Sequence, residues 1–161
     1  MQIQEQQFRD RFLEALAADP EFEAEARWFD GSILLGYGDQ ILWVKVYRGV
    51  AIDTLEFVPV FGYTFKLSGA EHAWEMLGSG ERTFTDLVSS GSRYLETMEE
   101  IEAAGGGYRP PELAIEGNGV EAGRMHIATM HLAWAFAATL VGADAGAVGS
   151  GAAIATSGVP A

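Results

Sequence analysis

The apolar positions at the start of the chain recur at helical spacing. Glutamate, glutamine and arginine separate them, which predicts an amphipathic helix over residues 2–18 whose apolar stripe is formed by Ile3, Phe8, Phe12, Leu13 and Leu16. Asp19-Pro20 ends this helix, because proline disfavours the α conformation in the residue before it. A short helical continuation is predicted over 21–25.

The next part of the chain is rich in β-branched and aromatic residues and is divided by glycine-bearing turns. This pattern predicts four strands over 27–35, 40–48, 51–58 and 62–68, paired as antiparallel neighbours. The second strand alternates with period two, which predicts one inward row of Leu42, Val44 and Val46. The fourth strand predicts a similar row of Tyr63, Phe65 and Leu67. A sheet with one apolar face needs a cover of helices.

Helices are predicted to follow the fourth strand. Ser68 and Glu71 have the spacing of a capping box, so a helix is expected from Ser68 to about Gly78. Thr83 or Thr85 is suited to begin a second, short helix. A third helix is predicted over 92–104, with an apolar stripe formed by Leu95, Met98 and Ile101.

The last third of the chain predicts one more strand and one long helix. Leu113 and Ile115 alternate with Ala114 and Glu116, which is typical of a strand over 112–117. A helix over 120–141 is expected next, apolar nearly all round in its second half. Residues 142–161 carry almost no large side chains, so a glycine- and alanine-rich flexible tail is predicted. The fold class is therefore α+β, a single domain over 1–141 with a five-stranded, mostly antiparallel sheet covered by helices.

Composition and charge restrict the classes of partner. The chain has 161 residues and a net charge of −13, which repels phosphate backbones, so nucleic acid is not expected as a partner. It has no cysteine, which excludes disulfides and thiolate metal sites. The apolar run at 127–141 is too short for a transmembrane segment, and the N-terminus lacks the apolar core of a secretory signal. These features predict a cytoplasmic protein.

Two segments resemble the sterol carrier protein type two family. "YTFKLSGAEHAWEML" is similar to that family's fourth strand running into a helix, and "PELAIEGNG" is similar to its last strand, with Gly117-Asn118 at the family's Gly-Asn. The order of elements over about residues 5–140 also matches. Two departures are the longer stretch 78–111 and the C-terminus, which lacks a peroxisomal tripeptide.

The resemblance implies an apolar ligand, such as a lipid, fatty acyl chain or steroid, in a tunnel between the sheet and the helices. Methionine and aromatic residues on the final helix suit such a pocket, because methionine adapts to irregular shapes. The predicted ligand-binding residues are Val44, Val46, Phe57, Phe61, Phe65, Met98, Ile115, Met125, Met130 and Trp134. Arg109 and Arg124 flank the last strand and are candidates for a ligand carboxylate at the tunnel mouth, or for surface salt bridges.

Two alternatives stay open at this point. One is a small-pocket enzyme of the isomerase or dehydratase type, whose acid/base candidates are Asp53, Glu56 and the histidines His126 and His131. The other is an interaction module in which the final helix docks on a partner protein or pairs into a homodimer. No catalytic residue, cofactor or metal site is assigned; in particular, the two late histidines are five residues apart, a poor spacing for shared metal ligation on a helix.

Overall fold

A computed structural model of the chain describes residues 2–89, 97–103, 110–142 and 148–149. Within these ranges the elements follow the order α1 Gln6–Ala17, α2 Pro20–Glu25, β1 Asp30–Tyr37, β2 Gln40–Tyr47, β3 Val50–Leu55, β4 Phe65–Gly69, α3 Glu71–Ser79, α4 Phe84–Val88, α5 Met98–Ala103, β5 Leu113–Gly117, α6 Gly119–Arg124 and α7 His126–Val141. The α+β class and the single domain are confirmed.

The sheet has five strands in the order β3-β2-β1-β4-β5. The first three strands form two antiparallel hairpins, and β5 pairs antiparallel with β4. At the β2–β3 turn, Arg48 and Gly49 both have positive φ, 47° and 88°. Two positive φ values in a two-residue loop match the right-handed twist of the flanking strands. The mostly antiparallel sheet predicted from the sequence is therefore confirmed.

One strand pairing differs from the prediction. β4 does not lie beside β3; it crosses over and pairs parallel with β1, with Ile33 opposite Phe65. Residues 56–64 make this crossover. Tyr63 was predicted to point inward from the fourth strand, but it precedes β4 and is 39% exposed. The local apolar pattern identifies a strand but carries little information on which neighbour it pairs with.

Two predicted helix boundaries are also corrected, and a third is confirmed. Ser68 belongs to β4, and Ala70 precedes α3 without a side-chain cap, so the predicted capping box is absent. The final helix is not continuous over 120–141, because Met125 leaves the helical conformation and separates α6 from α7. Thr83 does cap α4, as predicted, through its hydroxyl and the amide of Asp86.

Two predictions lie partly or mostly outside the described residues. Of the predicted helix over 92–104, α5 covers only Met98–Ala103. Of the predicted tail, Gly142, Val148 and Gly149 are described; Val148 is buried, and Gly149 lies against Trp134. The flexible tail stays a prediction.

The core lies between one face of the sheet and the helices. This inner face carries Leu42, Val44 and Val46 of β2, all without accessible surface, as the alternation predicted. Helix α7 crosses the centre of the helical layer, in contact with α1, α2 and α3. It is buried nearly all round, which explains its lack of a polar face.

Candidate functional site

The space between the inner sheet face and α7 is filled by a cluster of aromatic rings centred on Phe136. Its ring centroid lies 4.7 Å from Trp74, 5.4 Å from Phe8, 5.5 Å from Phe12 and 6.4 Å from Tyr37. All four contacts are edge-on, the arrangement that aromatic quadrupoles favour. We call these five residues the Phe136 cluster.

Two residues of the Phe136 cluster also carry polar groups. The indole of Trp74 donates to the carbonyl of Gly36 at 2.8 Å, which fixes α3 against β1. Burial raises the pKa of the Tyr37 hydroxyl, and the nearby charges of Glu71 and Glu75 raise it further. Tyr37 therefore stays a neutral phenol near pH 7, able to donate a hydrogen bond.

A threonine on α7 has a buried hydroxyl without a partner. Thr129 is 1% exposed, and its Oγ1 makes no hydrogen bond within the described part of the chain. It precedes Phe136 by seven residues, so both side chains lie on the same face of α7, about 10 Å apart along its axis. By contrast, the hydroxyl of Thr139 donates to the carbonyl of Ala135 at 2.8 Å. Buried polar groups almost always find a partner, so the exception at Thr129 marks a candidate functional group.

The structure brings most of the predicted ligand-binding residues into one core. Val44, Val46 and Phe65 have no accessible surface, and Met125 is 2% exposed. Three others are half-buried and pack against this core: Ile115, Met130 and Trp134. The side chains of Val44, Val46 and Phe65 therefore have no surface that a water molecule reaches.

The remaining predicted ligand-binding residues are exposed. Phe57 is 59% exposed, Phe61 75% and Met98 68%. Phe61 contacts Trp43, which alternates with Val44 along β2 and therefore lies on the opposite, outer face of the sheet. Phe61 is thus separated from the Phe136 cluster by the sheet itself.

The residues proposed for other chemistry occupy different places. Asp53 and Glu56 are exposed, so neither has the apolar surroundings that the enzyme alternative needs. Arg124 lies 3.6 Å from Glu121 and, with Arg27, lines a surface cleft of about 360 Å³ above Met125. Arg109 lies outside the described residues.

His131 forms a clasp between α7 and the turn before α2. Its Nδ1 lies 2.7 Å from Oδ2 of Asp19, and its Nε2 lies 3.1 Å from Oε2 of Glu21. The other carboxylate oxygen of Asp19 caps α2 by accepting from the amides of Glu21 and Phe22. Among the described residues there is no group of three side chains placed to hold a metal ion. We therefore interpret His131 as a structural connection.

Replacing His131 with alanine is expected to lower the free energy of unfolding by about 1–2 kcal/mol, because the partly buried hydrogen bond with Asp19 and the more exposed contact with Glu21 are lost. Urea denaturation would measure this change in the free energy of unfolding. His126→Ala is the control, since His126 is exposed on the same helix and its loss should cost less than about 0.5 kcal/mol. Equal effects of the two variants would contradict the clasp.

No helix in the described ranges combines the length and apolarity that a membrane span requires. No protein-family model matches the sequence, and comparison with curated proteins gives no significant match.

Solved structures do match the fold. A crystal structure of sterol carrier protein 2 superposes with a TM-score of 0.54 at 10% sequence identity, covering 84% of this chain and 98% of that chain. The solution structure of a conserved hypothetical protein from Thermus thermophilus, for which a sterol carrier identity has been suggested, gives a TM-score of 0.53 at 12% identity, covering 86% and 90%. The resemblance predicted from the sequence is thus confirmed at the level of the fold.

Proposed function

We propose that this protein binds and carries an apolar small molecule, such as a fatty acyl chain, a sterol or a similar lipid, between the inner sheet face and α7. The observation that carries the proposal is the fold shared with sterol carrier protein 2 over nearly all of that protein. Burial of apolar ligand surface would supply the affinity, at about 25 cal/mol per Å² before the cost of ordering the ligand.

A ligand could enter this region only if side chains of the core moved to make room for it. Since Val44, Val46 and Phe65 have no accessible surface, a ligand beside them replaces contacts that protein side chains make in its absence. Phe136 is the largest side chain that α7 places against the sheet, so its displacement would create most of that space. Met125 and Met130 belong to or pack against the same core, and their flexible side chains can repack around ligands of different shape.

Thr129 would anchor the polar end of the ligand. Its unpartnered hydroxyl is both a donor and an acceptor, so it suits a sterol hydroxyl or a protonated fatty acid. Binding such a group repairs a hydrogen bond that the ligand-free protein lacks. An apolar ligand without a polar end would gain nothing from this residue.

The first experiment is native mass spectrometry of gently purified protein, followed by organic extraction and identification of the extract. We expect one lipid or steroid molecule per chain. A mass equal to that of the polypeptide alone, with no uptake from a panel of fatty acids, sterols and phospholipids, would refute the carrier function.

Thr129→Val tests the anchor. Valine matches threonine in shape, so removal of an unpaired buried hydroxyl should leave stability unchanged or raise it by up to about 1 kcal/mol. Affinity for a hydroxylated or acidic ligand should fall about tenfold, the value of one hydrogen bond to a buried group. Thr139→Val is the matched control, since its hydroxyl already bonds to Ala135, and it should leave affinity unchanged. Equal ligand affinity in Thr129→Val and the unmodified protein would exclude the anchor.

A further inference from the structure

The outer face of the sheet carries a second apolar layer, separate from the core. Leu34 and Trp43 are paired across β1 and β2, and they are only 3% and 4% exposed. The crossover 56–64 contacts Trp43. The indole of Trp43 donates to the carbonyl of Gly62 at 3.1 Å, and its ring contacts Phe61 at 5.8 Å between centroids. The crossover is therefore fixed in position above Trp43.

A cleft of about 440 Å³ opens between the crossover and the strands. Aromatic side chains form much of its lining, namely Trp43, Phe61 and Tyr63. Ser32 and Lys45 contribute polar groups. Ser32 is 6% exposed, and its backbone amide and carbonyl both bond to Thr64. An aromatic cleft with a few polar groups is typical of a small-molecule site.

The charges around this cleft determine which class of ligand it can bind. Lys45 is already paired with Asp30 at 2.6 Å and lies opposite Asp53 on β3. Together with the net charge of −13, this surrounding disfavours a ligand that is only anionic. Aromatic faces attract quaternary ammonium groups. A zwitterion fits both parts of the cleft: its quaternary ammonium group would contact the aromatic rings, and its phosphate would contact the ammonium group of Lys45.

The crossover next to the cleft has the character of a membrane contact. Residues 57–64 contain no charged side chain, and Val60 is fully exposed, beside the exposed Phe57 and Val58. Aromatic and aliphatic side chains at this density partition into the headgroup region of a bilayer. The acidic protein would be repelled by anionic lipids, so a zwitterionic surface is the complementary one.

We propose that the outer cleft binds the phosphocholine headgroup of a zwitterionic bilayer, while Phe57, Val58 and Val60 enter the interface. The trimethylammonium group lies among Trp43, Phe61 and Tyr63, and the phosphate lies near Lys45 and the Ser32 hydroxyl. This inference rests on the proposed function, because it names the surface at which the carried molecule is collected or delivered.

Vesicle sedimentation tests the membrane contact. The full-length protein should bind phosphatidylcholine vesicles and should not bind vesicles rich in phosphatidylglycerol. Val60→Asp should weaken this binding about tenfold, since a charge replaces a side chain that enters the interface. Ile127→Asp, at an exposed apolar position on α7, is the matched control and should bind like the unmodified protein. Binding that survives Val60→Asp, or that occurs only with anionic vesicles, would overturn the proposal.

Free phosphocholine tests the cleft separately from the bilayer. In a ¹H–¹⁵N spectrum it should move the indole signal of Trp43 and leave the other three tryptophans in place; Trp43→Phe assigns the signal. An unmoved Trp43 signal at saturating phosphocholine would exclude the headgroup site. A protein that takes up lipid in solution but fails both tests retains the carrier function without this site. Membrane binding without any carried ligand would instead refute the carrier function.

Discussion

Phe136→Ala should lower the free energy of unfolding by about 3–5 kcal/mol, the usual cost of removing a fully buried phenylalanine. Phe136 has no accessible surface, and its ring contacts four other aromatic rings from α1, β1 and α3. Its loss would leave a cavity that several secondary structure elements surround, and rigid elements collapse little around a cavity. Urea denaturation monitored by circular dichroism would measure the change.

Phe57→Ala is the control for this prediction. Phe57 is 59% exposed, so its removal should change the free energy of unfolding by less than about 0.5 kcal/mol. A loss below about 1 kcal/mol for Phe136→Ala would mean that the cluster is loosely packed. The same variant bears on ligand binding: if the ligand displaces Phe136, the alanine variant should bind it more tightly than the unmodified protein does.

Gly117→Ala should be strongly destabilising, with a loss of about 2–4 kcal/mol in the free energy of unfolding. Gly117 ends β5 with φ 117°, a conformation that residues with a side chain rarely adopt. An added Cβ would also lie 2.9 Å from the Cα of Phe65 and 2.9 Å from the carbonyl oxygen of Thr64. Because both are backbone atoms of the paired strand, the sheet itself would have to shift.

Gly123→Ala is the matched control. Gly123 lies within α6, and an added Cβ there meets nothing within 4 Å. Alanine in a helix is favoured over glycine by up to about 1 kcal/mol, so this variant should be stabilised. Thermal unfolding of both variants would decide; equal melting temperatures would show that the β4–β5 contact tolerates a side chain.

Sequence reasoning succeeded where a single local pattern determined the outcome. Alternation placed Val44 and Val46 on the inner face, and Asp19-Pro20 marked the boundary between α1 and α2. Gly117-Asn118 is a further example, since the resemblance singled out these residues and the structure gives both a physical role. Asn118 caps α6 by accepting from the amide of Glu121.

Features that depend on distant partners were not predicted. The parallel pairing of β4 with β1 joins segments that no local pattern relates. The break at Met125 has no proline to mark it. Thr129 and Thr139 are indistinguishable in the sequence of an apolar helix, and only packing shows that one hydroxyl is satisfied and the other is not. Phenylalanine is typical of a protein core, but Phe61 lies on the outer face of the sheet, opposite the core.

The strand order also has a consequence for synthesis on the ribosome. The three-stranded meander β1–β3 can form as soon as it emerges, but β4 keeps an unpaired edge until β5 at 113–117 has been made. The inner sheet face then stays uncovered until α7, at His126–Val141, has also been made. A nascent chain would therefore expose this apolar face during the synthesis of residues 56–141, and its folding in the cell should depend on chaperones that shield such surfaces.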